Sequence, residues 1–443
     1  MQDTIFALAT PVGQSAIAVF RISGAQAAVI GTRLSGKTLI HRQAQPMLIH
    51  DEDSQVLDDV VLLLFKSPQS ATGEDTLEIH CHGSLSVTSA ISSYLSRQPF
   101  VRPAAPGEFT KRAFDNGKMD LTEIEGLSDL IDSQTEAQRR QALGQLKGHL
   151  RKQAEAWRDE IIHLAARLES LIDFADEDLP ESVAEDVKKS RESLISSLSL
   201  VLNDAGRGEL IRNGLEVVLL GPVNAGKSTA LNALAGRPAA IVADEAGTTR
   251  DIVEVRLDID GISVILKDTA GIREQAGQVE TIGIERARHA ADGADLVILL
   301  ADGSHEHWHE EAETIAKDVT APMIKFVNKE DKMSKETILA VDYRPISLHQ
   351  ETGMSLLEDE LANHCAKINH SGAQVFITRD RHRSAIQTAL DALWASKEYN
   401  FETSPEIVAE ELRLAAHSLS QMLGHIDVED ILSDIFSSFC IGK

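Results

Sequence analysis

Aromatic residues are scarce in this chain, making up 4% of its 443 residues. Cysteine is scarcer: Cys81, Cys365 and Cys440 are far apart and form no CxxC pair. That spacing excludes a zinc ribbon and a disulfide framework, and it suits a reducing compartment. No strictly apolar run exceeds six residues, as in Val60–Phe65 and Leu296–Ala301, whereas a membrane-spanning helix needs about 20. Positive charge is also short: 43 Lys and Arg face 69 Asp and Glu, a net of −26. A broad basic surface for nucleic acid is therefore excluded, and any RNA contact is local or supplied by a partner. The opening MQDTIFALATPVG has an early Asp and no basic stretch, so no secretory signal is expected and a cytoplasmic location is. What remains is an ordinary globular composition, 43% hydrophobic and 25% charged, in a chain long enough for about three domains.

Three textures follow one another. Residues 1–116 read as mixed α and β, with strand-like runs at Ile17–Ile22, Val60–Phe65 and Leu77–His80 between turn signals. From about 118 to 205 there is one proline, Pro180, and Trp157, Ile161, Leu164, Leu168 and Leu171 recur at helical spacing. That stripe reads as a core seam in a helical bundle. Residues 214–365 alternate strands (Glu216–Leu220, Ser263–Lys267, Asp295–Ala301, Met323–Asn328) with helical stretches, the pattern of a doubly wound parallel sheet. From Gln374 the helical texture returns, with Leu412, Ala416, Leu419 and Leu423 on one stripe. The simplest packing joins the two helical segments into one domain and inserts the α/β segment as a loop. The expected division is 1–116, 117–212, 213–370 and 371–443.

Gly221-Pro-Val-Asn-Ala-Gly226-Lys227-Ser228 matches GxxxxGK[ST] between a strand and a helix. Glycines let backbone N–H groups close around phosphate, and the helix N-terminus adds positive potential. Lys227 reaches the β- and γ-phosphates in such a loop, and Ser228 ligates Mg²⁺. Asp268-Thr-Ala-Gly271 follows the strand ISVILK, and Asn328-Lys329-Glu330-Asp331 follows MIKFV. A carboxylate at Asp331 can accept both N–H donors of guanine, a pair that adenine lacks. In this order and on strand ends, the three motifs resemble the GTPase family. Many GTPases place Gln after DxxG to orient water; here that position is Ile272, and the phosphate loop has no arginine to act in cis. Catalysis must recruit something else, from Asn224, Arg250, Asp251, Arg273 and Glu280.

The flanks narrow the resemblance. TIFALATPVGQSAIAVFRISG, TGEDTLEIHCHG, RPAAPGEFTKRAFDNGKMDL, RNGLEVVLLGPVNAGKST, GTTRD and the terminal FSSFCIGK resemble the MnmE (TrmE) family of tRNA modification GTPases from residue 4 to the end. The resemblance implies a multidomain α/β and α protein: a mixed α/β N-terminal domain similar to folate-binding domains, a helical domain, and an inserted doubly wound P-loop GTPase domain. It implies GTP hydrolysis that serves C5 modification of the tRNA wobble uridine. The one-carbon unit comes from 5,10-methylene- or 5-formyl-tetrahydrofolate. The resemblance further implies a homodimer that works with the flavoprotein MnmG (GidA) in a heterotetramer-type complex, with the FAD on that partner. No GxGxxG occurs in this chain, which agrees with a flavin on the partner.

Residue roles carry over by position. GTP falls to Asn224, Ala225, Gly226, Lys227, Ser228 and Thr229; to Ala243, Asp244, Glu245, Ala246, Gly247, Thr248 and Thr249; to Asp268, Thr269, Ala270 and Gly271; and to Asn328, Lys329, Asp331, Ser347, Leu348 and His349. Ser228 and Thr249 take Mg²⁺. Asn224, Ala243, Glu245 and Thr248 take a K⁺ that replaces an arginine finger. Glu280 positions the attacking water, with Asn224, Thr249 and Gly271 also catalytic. Arg21, Glu78, Lys118 and Lys443 contact the folate, since Arg and Lys suit its carboxylates and Glu suits pterin N–H groups. Cys440, in the terminal CIGK, reads equally as a chemical group beside the folate and as a small buried residue. Cys81 and Cys365 read as core. His305, His307 and His309 do not share one helix face and read as an exposed loop rather than a metal site. A ribosome-assembly GTPase would append a basic KH-like domain with a GxxG loop; the acidic helical C-terminal segment is not one.

Overall fold

The computed structural model describes residues 3–173, 181–237, 239–241, 253–268, 288, 290–333, 342–369, 377–400, 403–426 and 442. Contacts gather the chain into two units: Met1–Ser128 with Gln145–Leu194 and Ala385–Lys443, and Asp129–Gly144 with Ile195–Ser384.

The first unit begins with β1 (Thr4–Leu8), β2 (Ser15–Ser23), α1 (Ala27–Ser35), β3 (Gln45–His50), β4 (Val56–Phe65), β5 (Thr76–Gly83), α2 (Leu85–Arg97), β6 (Val101–Pro103) and α3 (Glu108–Asp115). The strands form one sheet in the order β3-β4-β5-β2-β1-β6, antiparallel except for β1 with β6. Alternation along β2, β4 and β5 sends Phe20, Ile22, Leu62, Leu64, Leu77 and Ile79 to one face, where Ile30, Leu34, Ile91 and Leu95 of α1 and α2 cover them. On the other face Phe109 of α3 packs on Ile5 and Ala7, which leaves Arg21 and Glu78 half-buried there.

Helices α4 (Leu121–Asp132), α5 (Glu136–Leu146), α6 (His149–Asp173), α7 (Glu181–Asn203) and α8 (Ala205–Asn213) follow. Then comes the second sheet: β7 (Leu215–Leu220), α9 (Lys227–Ala235), β8 (Ala240–Ile241), β9 (Val253–Ile259), β10 (Ile262–Asp268), β11 (Leu296–Asp302), α10 (Trp308–Ala316), β12 (Met323–Asn328), β13 (Arg344–Pro345) and α11 (Glu351–Asn369). Its order is β13-β12-β11-β7-β10-β9-β8; the pairs from β13 through β10 are parallel, and β9 and β8 add antiparallel edges. All seven residues of β11 are buried, because helices cover both faces of the sheet. Leu231 and Leu234 of α9, with Leu357 and Leu361 of α11, pack on one face; Trp308, Ala312 and Ile315 of α10 pack on the other.

The chain closes with α12 (Asp380–Glu398) and α13 (Pro405–Leu423). Pro405 opens α13 and Gly424, in the left-handed region, ends it. α13 packs along α6, so helices from either side of the α/β segment meet and that segment is an insertion. Trp157, Ile161, Leu164 and Leu168 are buried as the stripe predicts; on α13 the seam runs Val408, Leu412, Ala415, Leu419, Met422. Ala416, expected on that seam, is only half-buried: the step from Leu412 is three residues rather than four, and Ala415 takes the place. Each large apolar side chain on these seams contributes roughly 1.5–3 kcal/mol by leaving water.

Within the second unit, one carboxylate holds the chain where it enters and leaves the insertion. Asp129 Oδ1 accepts Arg212 Nε at 2.9 Å and Arg379 Nη2 at 2.7 Å, and its side chain is only 8% exposed. Asp129→Ala takes a shared carboxylate away from two half-buried guanidiniums. We expect a loss of about 2 kcal/mol, below the usual cost of breaking a fully buried pair because both arginines reach solvent. The unfolding midpoint of the second unit then falls by about 4–8 °C, whereas Asp132→Ala, at an exposed position on the same helix, has little effect. Equal shifts for the two variants would remove the clasp from the account.

Candidate functional site

The carboxyl ends of four parallel strands, β7, β10, β11 and β12, meet at one edge of the second sheet. Ligands of doubly wound sheets bind there, where the strand order reverses. β7 stops at Leu220, the loop 221–226 follows, and α9 starts at Lys227. Gly221 and Gly226 have φ of 149° and 103°, and a Cβ would collide with the Leu300 carbonyl at the first and the Asn328 amide at the second. Only glycine lets the loop close this tightly. Asn224, exposed at the lip of the loop, also holds a positive φ of 66°, which Asn tolerates better than most residues.

Lys227 folds back across the loop and donates to the carbonyls of Gly221 at 2.7 Å and Pro222 at 2.9 Å. Burial pulls its pKa down, while the nearby Asp268 charge pushes it up. Ser228 Oγ donates to Asp268 Oδ2 at 3.1 Å, across the register that pairs β10 with β7. A hydroxyl and a carboxylate side by side are hard oxygen donors of the kind Mg²⁺ takes. The loop amides, the α9 N-terminus and Lys227 together suit a polyphosphate. Ala225 is fully buried and Thr229 exposed.

The base-side segments are tied to this loop by one buried amide. Asn328 Nδ2 donates to the Ala225 carbonyl at 2.8 Å, and Asn328 Oδ1 accepts the N–H of Leu348 at 3.0 Å and of Lys329 at 2.8 Å. Asp331 is exposed on a 3₁₀ turn, Glu330–Lys332, and Ser347 Oγ donates to its Oδ1 at 3.1 Å. Ser347 and Leu348 are buried and His349 is exposed. Asp302, at the end of β11, escaped the sequence reading. It accepts Lys329 Nζ on Oδ2, and Ser304 N and Oγ at 3.0 and 2.6 Å on Oδ1. Burial alone raises its pKa, but these hydrogen bonds outweigh it and hold the carboxyl below its ordinary value. The available signal was a charged residue closing the otherwise apolar run LVILLAD. Ala243, Asp244, Glu245, Ala246, Gly247, Thr248, Thr249, Thr269, Ala270, Gly271 and Glu280 lie outside the described residues.

In the first unit, Arg21 and Glu78 face each other across β2 and β5. Arg21 Nε and Nη2 donate to Glu78 Oε1 at 3.1 and 3.0 Å, and the guanidinium lies 6.0 Å from the Phe109 ring centroid. Lys118 is exposed, with its stem against Gly73. Cys440 and Lys443 lie outside the described residues. Between them, Gly442 is placed against Leu8 and Ala9, at the end of the strand that pairs Ala7 with Arg21. Cys81 and Cys365 are core residues whose thiols burial pushes up to about 11 and about 12. His305 and His307 are exposed ahead of α10, but His309, expected in the loop, lies in its first turn against Trp308 and Tyr343. Trp308 is buried in the core and starts the helix earlier. Among the described residues no group of His, Cys, Asp and Glu could hold a metal ion, and no helix is long and apolar enough to cross a membrane.

A phosphate loop, a carboxylate beside its serine and an Asn-Lys-x-Asp turn on one sheet edge define a P-loop protein of the GTPase class. The family model described as MnmE helical domain matches residues 121–440, and that described as GTP-binding protein TrmE N-terminus matches residues 4–118. The chain is 44% identical over 448 residues to tRNA modification GTPase MnmE of Rhodopseudomonas palustris (strain BisB18), covering 100% of this chain and 99% of that protein. It is 44% identical over 447 residues to the MnmE of Bradyrhizobium sp. (strain ORS 278), with the same coverage. This chain therefore belongs to the MnmE family of tRNA modification GTPases. A solved structure of Aquifex aeolicus Era bound to GDP.AlF4- is 27% identical over 40% of this chain and 66% of that chain, with a TM-score of 0.26, too low for that likeness to bear on the fold.

Proposed function

We propose that this chain is the GTP-hydrolysing component of a complex that modifies C5 of the tRNA wobble uridine. The observation that carries the reading is full-length similarity to proteins named tRNA modification GTPase MnmE, in a chain whose phosphate loop and NKED turn are joined through Asn328. The four segments 1–116, 117–212, 213–370 and 371–443 then serve as folate-binding and dimerisation domain, first helical part, GTPase domain, and second helical part ending in CIGK. Lys227 and the loop amides bind the phosphates of GTP, Asp331 selects guanine, and Ser228 with Thr249 would hold Mg²⁺, which supplies charge neutralisation between the phosphates. Asn224, Ala243, Glu245 and Thr248 would hold K⁺; the exposed neutral amide of Asn224 fits such a cation. Glu280 orients the water that Ile272 cannot. Thr249 and Gly271 assist at the γ-phosphate.

In the same reading Arg21, Glu78, Lys118 and Lys443 bind 5,10-methylene- or 5-formyl-tetrahydrofolate in a homodimer, and FAD enters with the partner MnmG. Cys440 keeps both of its readings. The acidic charge of −26 leaves most of the tRNA surface to that partner. The deciding experiment is nucleoside analysis of wobble uridines in tRNA from cells with and without this gene. Loss of an aminomethyl or carboxymethylaminomethyl group supports the reading, and an unchanged nucleoside profile refutes it.

The folate assignment has its own test. Glu78 already pairs with Arg21 through one oxygen and approaches His80 Nε2 at 3.4 Å through the other. Glu78→Ala is expected to weaken folate binding by about tenfold or more, because it removes a charge-assisted acceptor and unpairs Arg21. Calorimetric titration of the full chain with 5-formyl-tetrahydrofolate reads this out directly. Unaltered binding moves the folate elsewhere.

A further inference from the structure

β11 and β12 are parallel neighbours, and their register sets Asp302 directly opposite Asn328. The carboxylate therefore stands beside the NKED turn although 26 residues of sequence separate the two positions in that pair. Gly303 N–H donates to the Asn328 carbonyl at 2.9 Å, which fixes the end of β11 to the end of β12. Both oxygens of Asp302 are committed, Oδ1 to Ser304 and Oδ2 to Lys329 Nζ, and the side chain is 2% exposed.

Lys329 is thereby held at both ends. Its backbone sits in the left-handed region at φ 65°, its N–H donates to Asn328 Oδ1 at 2.8 Å, and its carbonyl accepts Lys332 N–H at 2.8 Å. At the far end the ammonium is paired with Asp302. A lysine stem fixed at one end only is long and loses rotamer freedom whenever it orders. Fixed at both ends, it is an apolar bar laid out before any ligand arrives, next to the turn that carries Asp331. A planar base whose N–H donors reach Asp331 meets that bar with little further ordering cost.

We propose that Asp302 is a positioning residue for guanine-nucleotide binding: it anchors Lys329 so that the lysine stem is preset against the base. The proposal rests on the reading of the NKED turn as the guanine site.

The test uses the full chain and a fluorescent GDP analogue. Asp302→Asn should raise the nucleotide release rate and the KM for GTP about tenfold, the size expected for losing a charge-assisted hydrogen bond, with kcat changed less than about twofold, since the Asp302 carboxylate bonds Ser304 and Lys329 whereas Lys227 bonds the carbonyls of Gly221 and Pro222. Lys329→Met should also speed release, and adding Asp302→Asn to it should change nothing further, because the anchor then has nothing to hold. Ser304→Ala, which removes only the Oγ donor to Asp302, should shift release in the same direction by a smaller factor, and only when Lys329 is present. This milder variant keeps the test open if Asp302→Asn does not fold. Additive effects in the double variant, or unchanged release in Asp302→Asn or Ser304→Ala while Lys329→Met releases faster, would overturn the proposal alone. Unchanged release in Lys329→Met would instead overturn the guanine-site reading beneath it.

Discussion

Asp331→Asn is expected to convert the preferred substrate from GTP to xanthosine triphosphate. Asp331 is exposed, and Ser347 Oγ holds its Oδ1, so Oδ2 is free of that contact and the carboxylate is oriented before a base arrives. Guanine presents two donors, a ring N–H and an exocyclic amine, and a carboxylate accepts both. An amide presents one acceptor and one donor. Xanthine, with a carbonyl where guanine has the amine, matches the amide and opposes the carboxylate. A site built to hydrogen-bond a pair of groups rejects the wrong pair strongly, so kcat/KM for GTP should fall by about a hundredfold or more and that for xanthosine triphosphate should rise correspondingly. Steady-state hydrolysis of both nucleotides by both proteins decides it. If Asp331→Asn still prefers GTP, the base is read by other residues. Ser347→Ala gives a graded companion: the carboxylate stays and only its tether goes, so GTP KM rises by about threefold to tenfold without a change of preference.

Much of the second sheet was legible because its physics is simple. Strands covered on both faces are mostly apolar, and β7, β10, β11 and β12 stand out as such runs, broken only by Glu216, Ser263, Lys267 and Lys325 and, in β10, β11 and β12, by a polar last residue. β9 went unread although its signal is plain: Val253, Val255, Leu257 and Ile259 alternate with Glu254, Arg256 and Asp258, and Asp260-Gly261, with φ of 50° and 85°, is the two-residue turn that returns the chain into β10. A strand with one polar face contains no continuous apolar run, and β9 alternates along its whole length. In the N-terminal sheet, β1, β3 and β6 were missed for a related reason, since β6 is three residues long and β3 contains Pro46 at the sheet edge.

The candidate nucleotide residues stand out in the sequence as motifs, but what they do for one another does not. Sequence assigns Asn328 to the nucleotide; only the fold shows its amide tying Ala225 to Leu348. Sequence assigns Ser347, Leu348 and His349 alike to the nucleotide; only the fold shows the Ser347 hydroxyl tethering Asp331. Asp302 lay outside every motif because strand register, not chain proximity, brings it to Lys329. The Asp129 clasp is similar: Arg212 and Arg379 are remote in sequence, and each looks like an ordinary surface charge until the insertion brings both ends of its chain to one carboxylate. These are tertiary relations, and periodicity carries no trace of them.

Hydrolysis by this protein should run faster in K⁺ than in Na⁺ at matched ionic strength, by about tenfold or more. The chemistry of GTP hydrolysis needs positive charge at the bridging oxygen as it leaves, and an arginine finger is worth 10³–10⁵ in rate, or about 4–7 kcal/mol. The phosphate loop holds no arginine, and Ile272 cannot orient water. Asn224 is a neutral oxygen donor, exposed at the lip of the loop in a backbone conformation most residues avoid. Its amide oxygen suits a weakly hydrated monovalent cation, and Na⁺, smaller than K⁺, keeps its water more tightly. Asn224→Ala should abolish the K⁺ advantage yet leave nucleotide affinity nearly intact, because the proposed phosphate contacts are those of Lys227 and the loop amides rather than of Asn224. Glu280→Ala should slow hydrolysis by a different route, through the water rather than the ion, so K⁺ stimulation persists at a lower rate. Turnover of the three proteins in both salts separates these cases. Equal wild-type rates in K⁺ and Na⁺ end the cation hypothesis. An Asn224→Ala protein that K⁺ still stimulates keeps the ion but takes this residue out of its shell.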